Sequence, residues 1–236
     1  MNLRFHWFLP TSGDGRAIVG RGHSLPLGSS GPATASAHPC PRLPDRPGGG
    51  ILRFVVIVGN PRPASRTLTV AAEAANAVTR AAGLPGPYLT IDLCVLARHL
   101  LLPEPSPAVE EALDQVTGAD LLLVVSPTYQ GSYTGLLKVF LDRVPHRALD
   151  RAVALPLMLM GLVEHVPAVD AYLRPLLVEL GATVPVPGLA VLESELDRLD
   201  SVLGPWADQV AGVLGGHPAP THLPGPLHAA PVSVAG

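Results

Sequence analysis

Apolar runs that alternate with helical segments organise the middle of the chain. Each run has the length of a buried strand, and the segments between the runs carry helical spacing and helix end signals. The predicted strands lie at 53–58, 87–92, 119–126, 152–159 and 187–192. The predicted helices lie at 67–82, from Pro107 to Gly118, within 135–144, near 167–180, and after a capping box of Ser194 and Asp197. This alternation predicts an α/β fold, a doubly wound parallel sheet of five strands with helices on both faces.

The two ends of the chain differ from this region. Residues 1–50 and 215–236 are rich in Gly and Pro and show neither strand nor helix periodicity. Such segments bury too little apolar surface to offset the entropy lost on ordering, so both are predicted to be disordered. For 1–50, a non-native upstream extension is the alternative. One folded domain is therefore predicted at 51–214.

Composition narrows the range of partners. The chain is 47% hydrophobic and 15% charged, with a net charge of -3, so attraction to nucleic acid or to an anionic membrane is not expected. No apolar run reaches the roughly 18 residues that span a bilayer, and the N-terminus is too broken for a secretory signal. Cys40 and Cys94 match neither a metal spacing nor a disulfide framework, which favours a cytoplasmic protein without a metal site.

Two unusual loops follow the first and third predicted strands, at 59–67 and 126–135. In a sheet of strand order 2-1-3-4-5, these strands lie side by side, and ligands bind at their carboxyl ends where the strand order reverses. Both loops are therefore expected to contribute to one binding site.

The first loop, GNPRPASRT, has the chemistry of a phosphate site. Gly59 permits a tight turn, Ser65 and Thr67 offer hydroxyl groups, and Arg62 and Arg66 offer positive charge beside a helix N-terminus. The loop matches neither the Walker A spacing nor G-x-G-x-x-G. A plain strand-to-helix turn, capped by Ser or Thr, is an equally good reading of this segment alone.

The second loop suits a flat ring system that stacks and accepts hydrogen bonds along one edge. It supplies backbone amides, a glycine and an aromatic side chain. The candidate residues are Pro127, Thr128, Tyr129, Gln130, Gly131 and Ser132. The alternative is a loop whose tyrosines only pack.

Together the two loops resemble those of the NAD(P)H-dependent FMN reductases, and in particular the reductase components of two-component alkanesulfonate monooxygenases. The family's Gly-Ser-Pro-Arg loop, followed by Ser and Thr, matches 59–67, with Asn60 in place of Ser. Its Pro-x-Tyr, Tyr-Ser/Thr-Gly, Leu-Lys and Leu-Asp pattern matches 127–142, which includes Lys138, the single lysine of the chain. The likeness extends over about residues 52–192.

The resemblance implies a flavodoxin-like fold that binds FMN and reduces it with NADPH or NADH. It places the phosphate at Asn60, Arg62, Ser65 and Thr67, and the ring along 127–132 and at Gly161. Since the cofactors carry the hydride chemistry, no catalytic side chain is expected. The resemblance also implies a homodimer or homotetramer, with Tyr133 and the following helix near the subunit contact, and a flavin-dependent monooxygenase as partner.

One departure from the family lies after the fourth strand. The family carries Thr-Gly-Gly there, whereas this chain has Leu159, Met160 and Gly161. A Met side chain at this position would either crowd the ring or cover it. His165 also matches a family position, and for this lone histidine near a helix start we expect a structural role.

Three other functions remain as alternatives at this stage. An FMN-bound quinone or azo-type reductase would retain its flavin on dilution, whereas a supplier of reduced flavin would lose it. A flavodoxin-like electron carrier usually has a strongly acidic face, which the net charge of -3 does not indicate. A flavodoxin-like module that has lost flavin binding is suggested by Leu159 and Met160.

Overall fold

The computed structural model describes residues 52–215 as a five-stranded parallel sheet of order β2-β1-β3-β4-β5. The predicted strand number, direction and order are confirmed. The strands are Phe54–Val58 (β1), Leu89–Asp92 (β2), Leu121–Pro127 (β3), Val153–Met160 (β4) and Leu189–Leu192 (β5). The predictions for residues 1–50 and for the tail beyond residue 215 lie outside the described residues.

Helices connect the strands and cover both faces of the sheet. The α-helices are Arg66–Ala82 (α1), Leu93–Leu96 (α2), Pro107–Thr117 (α3), Gly135–Leu141 (α4), Arg174–Glu179 (α5) and Leu199–Leu214 (α6). Short 3-10 helices occupy Ala97–His99, Val163–His165 and Glu193–Arg198, and a π-helix occupies Val169–Leu173. No helix within 52–215 is long and apolar enough to cross a membrane.

The start of the last helix differs from the prediction. The N–H of Leu192 donates to the Glu195 carboxylate over 3.0 Å, and this bond opens the 3-10 helix Glu193–Arg198. Helix α6 begins only at Leu199. The predicted capping box of Ser194 and Asp197 is wrong by two residues. The box that forms joins Leu192, the last residue of β5, to Glu195.

Two hydrophobic layers enclose the sheet. Val55 and Ile57 of β1 belong to the layer under α3, α4 and α5, whereas Val56 and Val58 belong to the layer under α1 and α6. All seven residues of β3 are buried, as expected for a central strand of a parallel sheet that is covered on both faces. Each fully buried Leu or Val side chain contributes about 1.5–3 kcal/mol, so these layers account for most of the favourable free energy of folding.

The register of β1 and β3 places their carboxyl ends at the same height. Val58 pairs with Val125, and the N–H of Gly59 donates to the Val125 carbonyl over 2.7 Å. Strand β2 lies on the other side of β1, so the strand order reverses between β1 and β3. The crevice of a doubly wound sheet therefore opens between the loops that follow Val58 and Pro127.

Candidate functional site

Asn60 and Thr67 close the first loop from within. The Asn60 side chain is buried; its Nδ2 donates to Thr67 Oγ1 over 2.8 Å, and its Oδ1 accepts the N–H of Arg62 over 2.9 Å. Thr67 is buried as well. Because these polar atoms bond each other, the two side chains hold the loop in its turn.

The N-terminus of α1 opens toward this loop. Ser65 is the N-cap, and its Oγ accepts the N–H of Leu68 over 3.2 Å. The backbone N–H groups of Arg66 and Thr67 make no hydrogen bond to any residue that the structure describes. Ala64, directly before the cap, has φ of 49°, a left-handed conformation that a non-glycine residue adopts only where its surroundings enforce it. The capped turn thus leaves two backbone N–H groups at a helix N-terminus, which is the geometry of an anion-binding site.

The two arginines of the first loop have different environments. The Arg66 guanidinium lies 2.7 Å from the Glu193 carboxylate in an exposed ion pair, which contributes little stability. The Arg62 side chain is exposed and forms no hydrogen bond or ion pair within 52–215. Arg62 is therefore the cation that this loop leaves available to a ligand.

Residues 129–132 of the second loop form a tight two-residue turn. Tyr129 and Ser132 exchange both backbone hydrogen bonds, at 2.8 and 3.2 Å, and Gln130 and Gly131 between them have φ of 52° and 77°. Two consecutive positive φ angles are typical of a type I′ hairpin turn. The turn projects the Gln130–Gly131 peptide from the sheet edge.

This turn reduces the number of amides that the second loop can offer. The N–H groups of Tyr129 and Ser132 bond each other's carbonyls, and that of Thr128 donates to the Leu159 carbonyl over 2.8 Å. Gln130 and Gly131 keep N–H groups without a partner among the described residues. Thr128 Oγ1 is buried and has no hydrogen-bond partner there either. A buried hydroxyl without a partner is costly, so Thr128 marks a place where a ligand atom would fit.

The third loop begins at Gly161 and is open. A Cβ atom added to Gly161 would meet no atom within 4 Å. Leu159 and Met160 lie on β4, which continues one residue beyond its predicted end, and their side chains are buried in the two opposite core layers. Met160 is only 1% exposed. The expectation that its side chain would crowd or cover a ring is wrong, since it points into the core.

His165 lies beside the turn of the second loop. Its ring atoms Cδ2 and Nε2 are 3.9 Å from the position that a Cβ of Gly131 would occupy, and the side chain is partly exposed. Lys138 pairs with Asp142, four residues further along the chain at the C-cap of α4. This hydrogen bond with Asp142 raises the pKa of the Lys138 ammonium.

Two buried hydroxyls that the sequence reasoning left out of the site connect the loops. Ser126 Oγ accepts the N–H of Thr134 over 3.0 Å, and Thr134 Oγ1 donates to the Gly59 carbonyl over 2.5 Å. Thr134 is also the N-cap of α4. A Thr before Gly135 and an apolar helix is a recognisable N-cap signal, whereas its bond to Gly59 is visible only in three dimensions.

An acidic group and a thiol lie near the carboxyl end of β2. Burial raises the pKa of Asp92, and the Cys94 N–H that it accepts opposes this in part. Burial, and secondarily the Asp92 charge, raises the pKa of the Cys94 thiol, which keeps it in its unreactive protonated form. No group of three or more metal-ligating side chains occurs in the described part of the chain.

Comparison with known proteins identifies relatives of this site. Residues 52–215 match the family described as NADPH-dependent FMN reductase. The chain is 41% identical over 91 residues to an FMN reductase (NADPH) of Escherichia coli K12, which covers 39% of this chain and 48% of that protein. It is 38% identical over 132 residues to an NADH-dependent FMN reductase of Pseudomonas putida, with 53% and 69% covered. The chain spans about half the length of the first two curated relatives that it matches.

Solved structures agree with this relationship. An NADH:FMN oxidoreductase in its apo form is 33% identical, with a TM-score of 0.63, and the match covers 73% of this chain and 95% of that one. An oxidoreductase from Corynebacterium diphtheriae is 25% identical, with a TM-score of 0.60 and coverages of 70% and 98%. The family match covers residues 52–215, a range that includes the three loops.

Proposed function

Because the chain belongs to the NADPH-dependent FMN reductase family, we propose that it transfers a hydride from NADPH or NADH to FMN. The observation that carries this proposal is the convergence of the two loops at the switch point of the sheet. The Gly59 N–H bonds the Val125 carbonyl, and the Gly59 carbonyl accepts from Thr134, so an anion site and a ring site begin at one edge.

The first loop would hold the FMN phosphate. Among the described residues the Arg62 guanidinium has no partner, nor do the N–H groups of Arg66 and Thr67, which belong to the positive end of a 17-residue helix. Ser65 retains its hydroxyl proton as a further donor while its oxygen caps the helix. Asn60 would act through Thr67, by holding the loop in shape.

The second and third loops would hold the isoalloxazine ring. The N–H groups of Gln130 and Gly131 and the buried hydroxyl of Thr128, which have no partner within 52–215, offer donors for its polar edge. Gly161 leaves open space, and Tyr129, 41% exposed, offers an aromatic surface. Pro127 and Ser132 fix the two ends of this segment. The residues present therefore fit a flavin.

The contribution of the protein is orientation. Bound FMN supplies the hydride acceptor. The residues around the turn would bind and orient the flavin, so that hydride transfer from the nicotinamide would become effectively unimolecular. No side chain has to gain or lose a proton in this scheme, and we propose no catalytic residue.

Binding and turnover test this function together. Wild-type protein titrated with FMN should perturb the visible flavin spectrum, and NADPH or NADH should then be oxidised only when FMN is present. Rapid dilution followed by gel filtration should strip the flavin, which distinguishes a supplier of reduced FMN from a reductase that retains it. A protein that leaves the FMN spectrum unchanged and oxidises neither nicotinamide would contradict the proposal.

We further propose that the reduced flavin serves a flavin-dependent monooxygenase in the cytoplasm. Support comes from the relatives, which are named as FMN reductases that use NADPH or NADH. A purified two-component oxygenase, given FMN, a nicotinamide and this protein, should turn over. It should not turn over when either FMN or this protein is left out.

We also propose a homodimer or homotetramer. Four large apolar side chains are exposed around the second and third loops: Tyr129, Leu162, Val163 and Val166. A second copy of the chain would cover part of such a surface. Light scattering during gel filtration should give a mass of two or four chains, and a single-chain mass at micromolar concentration would refute this assembly.

A further inference from the structure

The geometry points to Thr134 as a positioning residue that sets the distance between the phosphate end and the ring end of the flavin site. The inference rests on the proposed function, because it concerns how FMN would be held. Thr134 itself is 2% exposed, and its hydrogen bonds within 52–215 go to Gly59, Ser126 and Leu137 rather than to the Arg62 side chain or the Gln130–Gly131 turn. Its influence on a ligand would therefore pass through the loops that it connects.

Thr134, near the end of the second loop, forms hydrogen bonds with the first loop, with β3 and with helix α4. Its Oγ1 donates to the carbonyl of Gly59, where the first loop leaves β1, over 2.5 Å. Its backbone N–H donates to Ser126 Oγ on β3 over 3.0 Å. The same Oγ1 accepts the N–H of Leu137 over 3.1 Å and so caps helix α4. All of these atoms are buried, where a lost hydrogen bond is not replaced by water.

Close packing holds the hydrogen bond between Thr134 and Gly59 rigidly in place. A Cβ atom on Gly59 would lie only 2.7 Å from the Cβ of Leu137, so the first turn of α4 rests directly against the backbone of the first loop. The bond between Thr134 and Gly59 thus fixes α4, β1 and β3 at one point. The first and second loops cannot shift relative to each other unless this contact opens.

A flavin with a phosphate needs both loops at once, whereas a flavin without one needs only the second and third. If the distance between the first and second loops is no longer fixed, the affinity for FMN should therefore fall much more than the affinity for riboflavin, which has the same ring and no phosphate. A general loss of stability would weaken both ligands equally. The ratio of the two dissociation constants separates positioning from structural support.

Three substitutions isolate the hydroxyl of Thr134. Thr134→Val has nearly the same shape but leaves the Gly59 carbonyl and the Leu137 N–H without a partner. Thr134→Ser keeps the oxygen and should rescue the contact. Thr79→Val is the matched control, because Thr79 in α1 also has a buried hydroxyl, and that hydroxyl has no hydrogen-bond partner within 52–215.

Equilibrium titration of each variant with FMN and with riboflavin, well below its melting temperature, tests the inference. Thr134→Val should raise the Kd for FMN about tenfold, as expected for one lost buried hydrogen bond, and the Kd for riboflavin less than about threefold. Thr134→Ser and Thr79→Val should stay within about threefold of wild type for both ligands. Ser126→Ala, which removes the other half of the connection, should show the same selective loss if Thr134→Val does not fold.

The results that would overturn the inference are distinct from a failure of the proposed function. Suppose that wild type binds FMN, and that Thr134→Val, or Ser126→Ala in its place, raises the Kd for FMN and the Kd for riboflavin by the same factor or leaves both unchanged. Thr134 then has only a structural role. If wild type binds neither flavin, the proposed function fails, and the inference fails with it. Circular dichroism of each variant confirms that the compared proteins are folded.

Discussion

The side-chain amide of Asn60 donates to Thr67 Oγ1 over 2.8 Å and joins the first residue after Gly59 to the first turn of α1. Resemblance to the family leads one to expect Ser at this position and a ligand contact. The structure instead shows the longer Asn side chain spanning the loop and satisfying the Arg62 N–H as well. The shape of the anion site therefore depends on a residue that is buried beneath it.

Asn60→Ala should lower both stability and FMN affinity. Two buried hydrogen bonds are lost, which we expect to cost about 1–3 kcal/mol in the free energy of unfolding. Asn60→Ser should show a smaller loss, because a hydroxyl can still accept the Arg62 N–H. Asn76→Ala is the control: it removes a bond to Tyr88 near the other end of α1. Denaturant unfolding and FMN titration check this; equal effects of Asn60→Ala and Asn76→Ala on FMN affinity would contradict it.

Gly161→Ala should weaken FMN binding without affecting the fold. The new methyl group meets no atom of residues 52–215 within 4 Å, so stability should change by less than about 0.5 kcal/mol. A ring lying over this glycine would meet the methyl group, and we expect about a fivefold rise in Kd for FMN. Gly204→Ala in α6, also in open space, should stabilise the helix by about 0.5–1 kcal/mol and leave Kd unchanged. An unchanged Kd in Gly161→Ala would exclude a ring at this position.

Met160→Gly, which restores the family residue, should destabilise the protein and should not improve flavin binding. Met160 is 1% exposed within the core. Loss of its side chain leaves a cavity, which should lower the free energy of unfolding by about 2–5 kcal/mol. Met158→Ala, two residues earlier in the same core layer, should cost a similar amount. Melting temperatures and FMN titrations of both variants provide the measurement. Tighter FMN binding by Met160→Gly at unchanged stability would show that the Met side chain does face the ring.

Asp92→Asn should stabilise the protein near neutral pH. Burial raises the pKa of Asp92, so the ionised carboxylate destabilises the folded state wherever the pH is above that raised pKa. As the pH falls through it, the folded protein takes up the proton first and this cost disappears. The Asn variant keeps an acceptor for the Cys94 N–H. Urea unfolding at several pH values should show an advantage for Asn that shrinks toward acidic pH; a constant or reversed difference would be inconsistent with burial as the cause.

The number and order of the strands could be predicted because each strand gives an apolar run that can be recognised by itself in the sequence. The buried run of β3 and the alternation with helices predicted both the parallel sheet and the position of its switch point. The four-residue helix α2 is absent from the prediction, and the helix predicted near 167–180 is divided into the π-helix Val169–Leu173 and α5, since such short-range details depend on tertiary surroundings. Met160 was assigned to a loop because a strand can extend one residue without any local signal.

The residue types of the candidate site could be predicted from the sequence. Which of their polar groups are used in hydrogen bonds within the protein could not. Gln130 carries no sequence preference for its φ of 52°, so the turn that uses up the amides of Tyr129 and Ser132 was not foreseen. The bond from Thr134 to Gly59 joins residues 75 positions apart. Contacts at such separation follow from the packing of α4 against β1, which no local pattern specifies.

The central claim is hydride transfer to FMN at the carboxyl ends of β1 and β3. Anaerobic reduction of FMN tests it most directly. FMN mixed with the protein in the absence of oxygen should lose its visible oxidised-flavin absorbance when NADPH or NADH is added, at a rate that rises with protein concentration. The same rate should fall in Gly161→Ala and stay unchanged in Gly204→Ala. Flavin that remains oxidised with both nicotinamides, or that is reduced no faster than without protein, would contradict the account.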